Sequence, residues 1–126
     1  MCITNLHAGW VGIFLGCVWG AVQGLFFHND DWMGGYTSWS RRMLRLGHIS
    51  FFGIGLINLS FGLTVEVLGI KNGVSAASWL LIAAAVTMPL LCFLSAFRKS
   101  FRHLFFIPAG SVIAGIALLM WRLFLR

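Results

Sequence analysis

Four long apolar runs constrain this chain more strongly than any other feature of its sequence. Each run is 18 to 24 residues long without a charged residue, and together they cover residues 8–27, 46–65, 74–97 and 104–121. A helix needs about 20 apolar residues to cross the hydrocarbon core of a bilayer, whereas a membrane barrel needs many segments of alternating polarity. The runs therefore predict four transmembrane helices, at about residues 7–28, 39–70, 75–97 and 102–124.

The composition leads to the same fold class. The chain has 126 residues, of which 60% are hydrophobic and 10% are charged, whereas a soluble domain carries about 25% charged residues. A chain this short cannot bury so much apolar surface inside itself, so the remainder has to face lipid. We expect one domain over residues 1–126, an all-α integral membrane protein built as an up-and-down bundle of four helices.

The positive charge is confined to short blocks beside the apolar runs. The formal net charge is +6, and the first and third connections hold six of the nine basic residues: Arg41, Arg42, Arg45, Arg98, Lys99 and Arg102. Blocks of this kind favour anionic lipid headgroups as partners, and they do not resemble a nucleic-acid surface. Because Lys and Arg are enriched in cytoplasmic loops, we expect both termini to be extracytoplasmic, in a bacterial inner membrane.

Small residues recur at steps of four in the first and fourth runs. They are Gly12, Gly16, Gly20 and Gly24, followed by Gly110 and Ala114. Such residues let helix backbones approach closely. The pattern is compatible with a face for a partner helix or a prosthetic group, and equally with ordinary packing inside the bundle.

The second run carries a stripe of mainly small and polar residues. Its members are His48, Phe52, Gly55, Asn58, Gly62 and Glu66. Asn58 falls near the middle of the predicted helix, where an amide facing lipid is costly, so we expect it to face the bundle. It would then act as a fastener between helices or as a substrate contact. At the other end of the stripe, Glu66 is predicted to form an ion pair with Arg122.

Three histidines are predicted at the same end of the helices, namely His28, His48 and His103. Neutral imidazole is a good ligand for haem iron, and arginines at the same level pair well with haem propionates. This arrangement predicts His48 and His103 as axial ligands of a haem b, with His28 as a substitute. The arginines would be Arg41, Arg42, Arg45 and Arg102. Histidines at a membrane interface that bind no cofactor have the same pattern.

Residues 45–55, with the sequence RLGHISFFGIG, resemble a helix of the small b-type cytochromes that bind haem in four-helix membrane bundles. The resemblance implies that His48 is a haem ligand, and it covers one helix. The chain has no HxxxH or HExxH spacing and no CxxC pair, so no metal site and no catalytic set is predicted.

These observations favour a small membrane protein without catalytic machinery. We expect an accessory or assembly subunit that acts through helix contacts made by the glycine face of the first helix, with other membrane subunits or further copies of itself as partners. A b-type haem protein that moves electrons is the alternative hypothesis. A small transporter or channel is the third, and Gln23 and Asn58 are the polar residues available to it within the spans.

Overall fold

The computed structural model of the protein describes residues 2–70 and 72–125, and this part of the chain is helical without strands. Four helices in this part of the chain are long and apolar enough to span a membrane. They are α1 (Cys2–Phe26), α2 (Trp39–Val67), α3 (Ser75–Phe97) and α4 (Phe106–Phe124). Short 3₁₀ helices occupy Trp32–Gly34 and Lys99–Leu104 in the connections. Two of the nine basic residues, Lys71 and Arg126, lie outside the described residues.

Four helix ends differ from the predicted ones: α1 begins at Cys2 and ends at Phe26 instead of residues 7 and 28, and the end of α2 and the start of α4 differ for local reasons. Helix α2 stops at Val67, three residues early, because Gly69 adopts a left-handed conformation (φ 63°). The Ile70 amide donates to the carbonyl of Val65 (2.9 Å) and the Gly69 amide to that of Glu66 (3.0 Å), which is a Schellman motif. Helix α4 begins four residues late, because the chain first forms the 3₁₀ helix over Lys99–Leu104.

The start of α2 is fixed by a side-chain cap. The N-cap is Ser38, whose hydroxyl oxygen accepts from the Arg41 amide (3.2 Å). A cap of this kind satisfies one of the amides that has no partner within the first turn. The cap therefore fixes the residue at which α2 begins, and with it the positions of Arg41, Arg42 and Arg45 on the helix.

Each helix packs mainly on its neighbour in the chain. The principal contacts join α1 to α2, α2 to α3 and α3 to α4, and α1 makes a smaller contact with α3. Along α1 and α2 the pairing runs in reverse order, since Gly20 lies against His48 and Gly9 against Leu59. Helices α1 and α4 share no extensive contact in the described part of the chain, so the four helices do not close into a ring.

An apolar cluster joins α2, α3 and α4 at one end of the molecule. Its buried members are Phe61, Val65, Val74, Ala77 and Leu81, and Ile116 and Leu119 of α4 pack against it. Gly115 makes this possible, because a Cβ there would lie 2.9 Å from the side chain of Leu81. The cluster therefore attaches α4 to the rest of the chain.

The two outer helices bury little of their surface. Along the described side chains of α1 the buried positions are Asn5, Gly9, Gly16 and Gln23, which form a single stripe near the heptad spacing. Along α4 only Pro108 and Gly115 are buried. The remaining faces of both helices are apolar and largely exposed.

Candidate functional site at the basic end of the helices

Two polar regions lie at different depths in the helices. The first, which we call the polar cluster, consists of Asn5, Asn58 and Ser78, and these side chains are 0%, 0% and 2% exposed. The second, which we call the basic end, is formed by the end of α1, the start of α2 and the end of α3.

In the polar cluster both asparagine amides are fully bonded. The Asn5 amide donates to the Asn58 side-chain oxygen (2.8 Å) and to the Ser78 carbonyl (3.4 Å), and the Ser78 hydroxyl donates back to Asn5. The Asn58 amide donates to the carbonyls of Ile54 (3.0 Å) and Leu81 (3.1 Å). A network this complete fastens α1, α2 and α3 together, which is the fastener interpretation of Asn58.

Asn5 and Ser78 are not among the residues that the sequence pattern predicts for this cluster. Asn5 precedes the first apolar run, so the predicted first helix began at residue 7, whereas α1 begins at Cys2. Ser78 is one of several small residues at the start of α3, and nothing marks it as different from its neighbours. The available signal was that Asn5 is followed by Gly9 and Gly12 on one helical face.

The basic end is held together by side chains that bond to backbone carbonyls of other helices. Gln23 of α1 donates to the Leu44 carbonyl of α2 (3.0 Å). The Trp39 indole donates to the Ser95 carbonyl (2.8 Å), and the Ser40 hydroxyl donates to the neighbouring Ala96 carbonyl (2.7 Å). These bonds bring three helix ends together, and the connection between α1 and α2 folds over them.

Arg41 is the buried charge of this region. The residue is only 4% exposed, and its Nη1 donates to the Asp30 carbonyl (3.3 Å). Its guanidinium carbon lies 5.6 Å from the Trp32 ring centre and 5.7 Å from that of Tyr36. Arg45 stacks more closely on Tyr36, at 4.0 Å. These rings stabilise the cations through their π faces, and they cover Arg41. Arg41 is therefore not exposed for a haem propionate, whereas Arg42 and Arg102 are exposed.

Three buried polar atoms at the basic end have no hydrogen-bond partner among the described residues. They are the Trp19 Nε1, the Arg41 Nε and the Ser95 Oγ. A buried donor without a partner costs about 1–3 kcal/mol. The basic end therefore carries both the buried charge and the unsatisfied groups, and these features make it the candidate functional site.

The three histidines occupy different settings. The His48 ring lies against α1, since its Nε2 is 2.6 Å from the position that a Cβ on Gly20 would take, and it meets Phe52 edge-on at 5.3 Å. His103 is exposed in the α3–α4 connection, and His28 is exposed just after α1. No ring contact or hydrogen bond joins these histidines within the described ranges. Residues 2–70 and 72–125 also contain no group of three His, Cys, Asp or Glu side chains that could hold a metal.

The haem hypothesis stays a prediction with a direct spectroscopic test. If His48 binds haem iron, the protein purified after haem-replete expression has a Soret band that shifts on reduction with dithionite. The band is then expected to be lost in His48→Ala and retained in His7→Ala, which changes a histidine on α1 at the far end of the helix. A wild-type spectrum without a Soret band would exclude haem binding by this chain.

The glycine stripe of α1 lies against α2. A Cβ on Gly9 would be 2.8 Å from the Gly55 carbonyl oxygen, and one on Gly12 would be 3.2 Å from that of Phe51. A Cβ on Gly16 would be 2.8 Å from the Phe52 ring. This part of the stripe is used for packing within the chain, so a partner helix has to contact another surface.

The remaining small residues of the prediction divide into buried and open positions. Gly55 and Gly62 are buried in α2. Gly24, Gly110 and Ala114 are exposed, and a Cβ on Gly24 or Gly110 would meet no atom within 4 Å. The fourth helix therefore presents Gly110 and Ala114 outward, whereas its Gly115 packs on Leu81.

The predicted ion pair between Glu66 and Arg122 is not formed. Arg122 donates from its Nε to the Gly73 carbonyl (3.2 Å), and the described residues contain no ion pair between it and Glu66, which is exposed. The physical reason is the turn after α2. Gly69 and Gly73 both have positive φ, and the loop that they form places the Gly73 carbonyl against the Arg122 guanidinium.

No protein-family model, curated protein or solved structure matches this chain.

Proposed function

We propose that this chain is an integral membrane protein, an up-and-down four-helix scaffold that serves as a non-catalytic accessory or assembly subunit of a larger membrane complex. The observation that supports this proposal is the open arrangement of the helices. Because α4 is attached chiefly through α3, the outward faces of α4 and α1 stay available along their full length. Four helices of sufficient length and hydropathy are the basis for membrane insertion.

The outward face of α4 is the partner surface in this proposal. Gly110 and Ala114 are exposed at a spacing of four residues, and Ile113 beside them is 69% exposed. In a bilayer, small residues permit the close helix approach that drives association, because apolar surface alone gives no advantage over lipid. Three of the first-helix glycines cannot serve this purpose, since α2 covers Gly9, Gly12 and Gly16.

The orientation belongs to the same proposal. The basic end faces the cytoplasm, because most Lys and Arg of the chain lie there, and both termini lie on the other side. Lipid with anionic headgroups surrounds that end. Cysteine accessibility at Thr37 in the basic-end connection and at Asn72 in the opposite one tests the orientation, and both residues are exposed.

Site-specific photo-cross-linking in native membranes tests the subunit proposal. A photoreactive residue at Ala114 is expected to give one product of defined larger mass, because that position faces the partner. The matched control is Leu63, which is 55% exposed on α2 and faces away from the proposed contact. Products of equal yield from both positions, or only the free 14.0 kDa chain after gentle extraction, would contradict the proposal.

A further inference from the structure

An apolar groove lies between α1 and α3, with α2 as its floor. It has a volume of about 330 Å³, within the range of small-molecule sites, and every residue that lines it is apolar or glycine. Ala8 and Leu15 mark its extent along α1, Gly55 lies in the floor, and Ala85 and Pro89 belong to the α3 wall. The groove is half open at the side, so in a membrane it faces the acyl chains of the lipid.

The groove exists because α1 and α3 touch at two levels and separate between them. One contact is the hydrogen bonding of Asn5 with Ser78 in the polar cluster. The other is the edge-to-face packing of Trp19 on Phe93, with ring centres 4.9 Å apart. Both contacts are side-chain specific, so the space between them is a fixed feature of the packing.

The charge at one end of the groove identifies a suitable occupant. Phe93 is the α3 residue that lines this end, and the exposed cations Arg98 and Lys99 follow it within two turns. Neither cation forms an ion pair with another part of the described chain. Unpaired cations at the level of the headgroups attract anionic lipid.

The part of the groove nearest the basic end is within reach of a lipid tail. At about 1.5 Å of rise per residue, Phe93 and Pro89 lie about 8 Å and about 13 Å along α3 from Arg98, and Ile82 at the far end of the groove lies about 24 Å away. Half of a bilayer core is about 15 Å thick, which is the depth to which an acyl chain extends below its headgroup. A chain whose headgroup lies beside Arg98 therefore contacts the α3 wall from Phe93 to Pro89, and the wall continues deeper to Ile82.

We propose that the groove binds one acyl chain of an anionic phospholipid, whose headgroup is held by Arg98 and Lys99. This inference rests on the membrane insertion proposed above. A side chain from a second copy is the competing occupant. The groove extends about 10 Å along α1 between Ala8 and Leu15 and about 17 Å along α3 between Ile82 and Phe93, which is longer than one side chain and suits a tail. The cations also have no counterpart in a contact between apolar faces.

Native mass spectrometry tests the proposal. The chain is reconstituted in vesicles of equal parts phosphatidylethanolamine and phosphatidylglycerol, extracted gently, and weighed with its bound lipid. We expect one phosphatidylglycerol per chain. Ala85→Phe fills the groove, and retention is expected to fall about tenfold, the effect of losing contact with roughly two buried methylenes. Ala83→Phe adds the same ring to the exposed face of α3 and should retain the lipid.

Two further variants keep the test decisive. Ala8→Phe fills the groove from the α1 wall and replaces Ala85→Phe if the latter loses its helical circular dichroism. Arg98→Gln is expected to remove the preference for phosphatidylglycerol, whereas Arg122→Gln at the other end of the helices keeps it.

Three results would overturn the inference. They are equal loss of lipid in Ala83→Phe and Ala85→Phe, retention of phosphatidylethanolamine with the same efficiency, and a dimer mass that Ala85→Phe abolishes. An alkaline wash of the membranes separates this failure from that of the proposed function. A chain released by the wash is not an integral membrane protein, whereas a chain that stays in the membrane without retaining lipid refutes only the lipid site.

Discussion

Replacing Asn58 with alanine is expected to lower the free energy of unfolding by about 2 kcal/mol, one of the two largest effects that we predict. The substitution removes the acceptor of the Asn5 amide and the donor to the Ile54 and Leu81 carbonyls. Each polar group left unsatisfied costs about 1–3 kcal/mol, whereas single hydrogen bonds between membrane helices contribute about 0.6 kcal/mol on average and up to about 1.7. Several such bonds are lost together here, which sets the expected value.

The measurement is unfolding in mixed micelles by titration with a denaturing detergent, followed by circular dichroism. Ser60→Ala is the matched control, because Ser60 is a polar residue of the same helix that is exposed, and its effect is expected to stay within about 0.5 kcal/mol. In the double variant Asn5→Ala/Asn58→Ala the loss should be smaller than the sum of the single losses, because the two amides are each other's partners. Strict additivity would mean that the two amides do not interact.

Replacing Gly9 with alanine is expected to destabilise the protein by about 1–3 kcal/mol, although alanine is the better helix former. A Cβ at this position would lie 2.8 Å from the Gly55 carbonyl oxygen and 2.5 Å from the Leu59 side chain. The Leu59 side chain has rotamer freedom, but the carbonyl belongs to the backbone of α2. Helices α1 and α2 therefore have to move apart at their closest approach.

Gly24 provides the matched control on the same helix. A Cβ there would meet no atom within 4 Å, so Gly24→Ala is expected to be neutral or to stabilise by up to about 1 kcal/mol. The same detergent titration measures both variants. If Gly9→Ala and Gly24→Ala changed the free energy of unfolding in the same direction, this would contradict the close approach of α1 and α2 at Gly9.

The number and type of helices could be predicted from the sequence because they depend on long apolar runs, which hydropathy reads directly. Asn58 could also be placed facing other helices, since an amide at mid-helix has a high cost in lipid. Its partners could not be predicted, because Asn5 lies before the apolar run and Ser78 is 73 residues further along the chain from it. A single sequence carries no information on which helices pair at such separations.

The candidate site shows a different limit. The sequence indicates that Arg41 stands at the edge of an apolar run, but not that Trp32 and Tyr36 fold over it, since this depends on the path of the connection. The pairing of Glu66 with Arg122 shows the same limit. Their positions in the sequence predict that both lie at one end of the helices, but the path of the turn determines which acceptor Arg122 contacts, and it donates to the Gly73 carbonyl.

The pairing of each helix with its neighbour has a consequence for the order of events during synthesis. A chain that enters the bilayer one helix at a time has the partner of each new helix already in place. Helix α2 can pack on α1, and α3 on α2, before α4 leaves the ribosome. The polar cluster is the exception, because it is incomplete until α3 is in place. The first two helices form a hairpin in which the Asn5 and Asn58 amides each lack one acceptor, and α3 then supplies the carbonyls of Ser78 and Leu81.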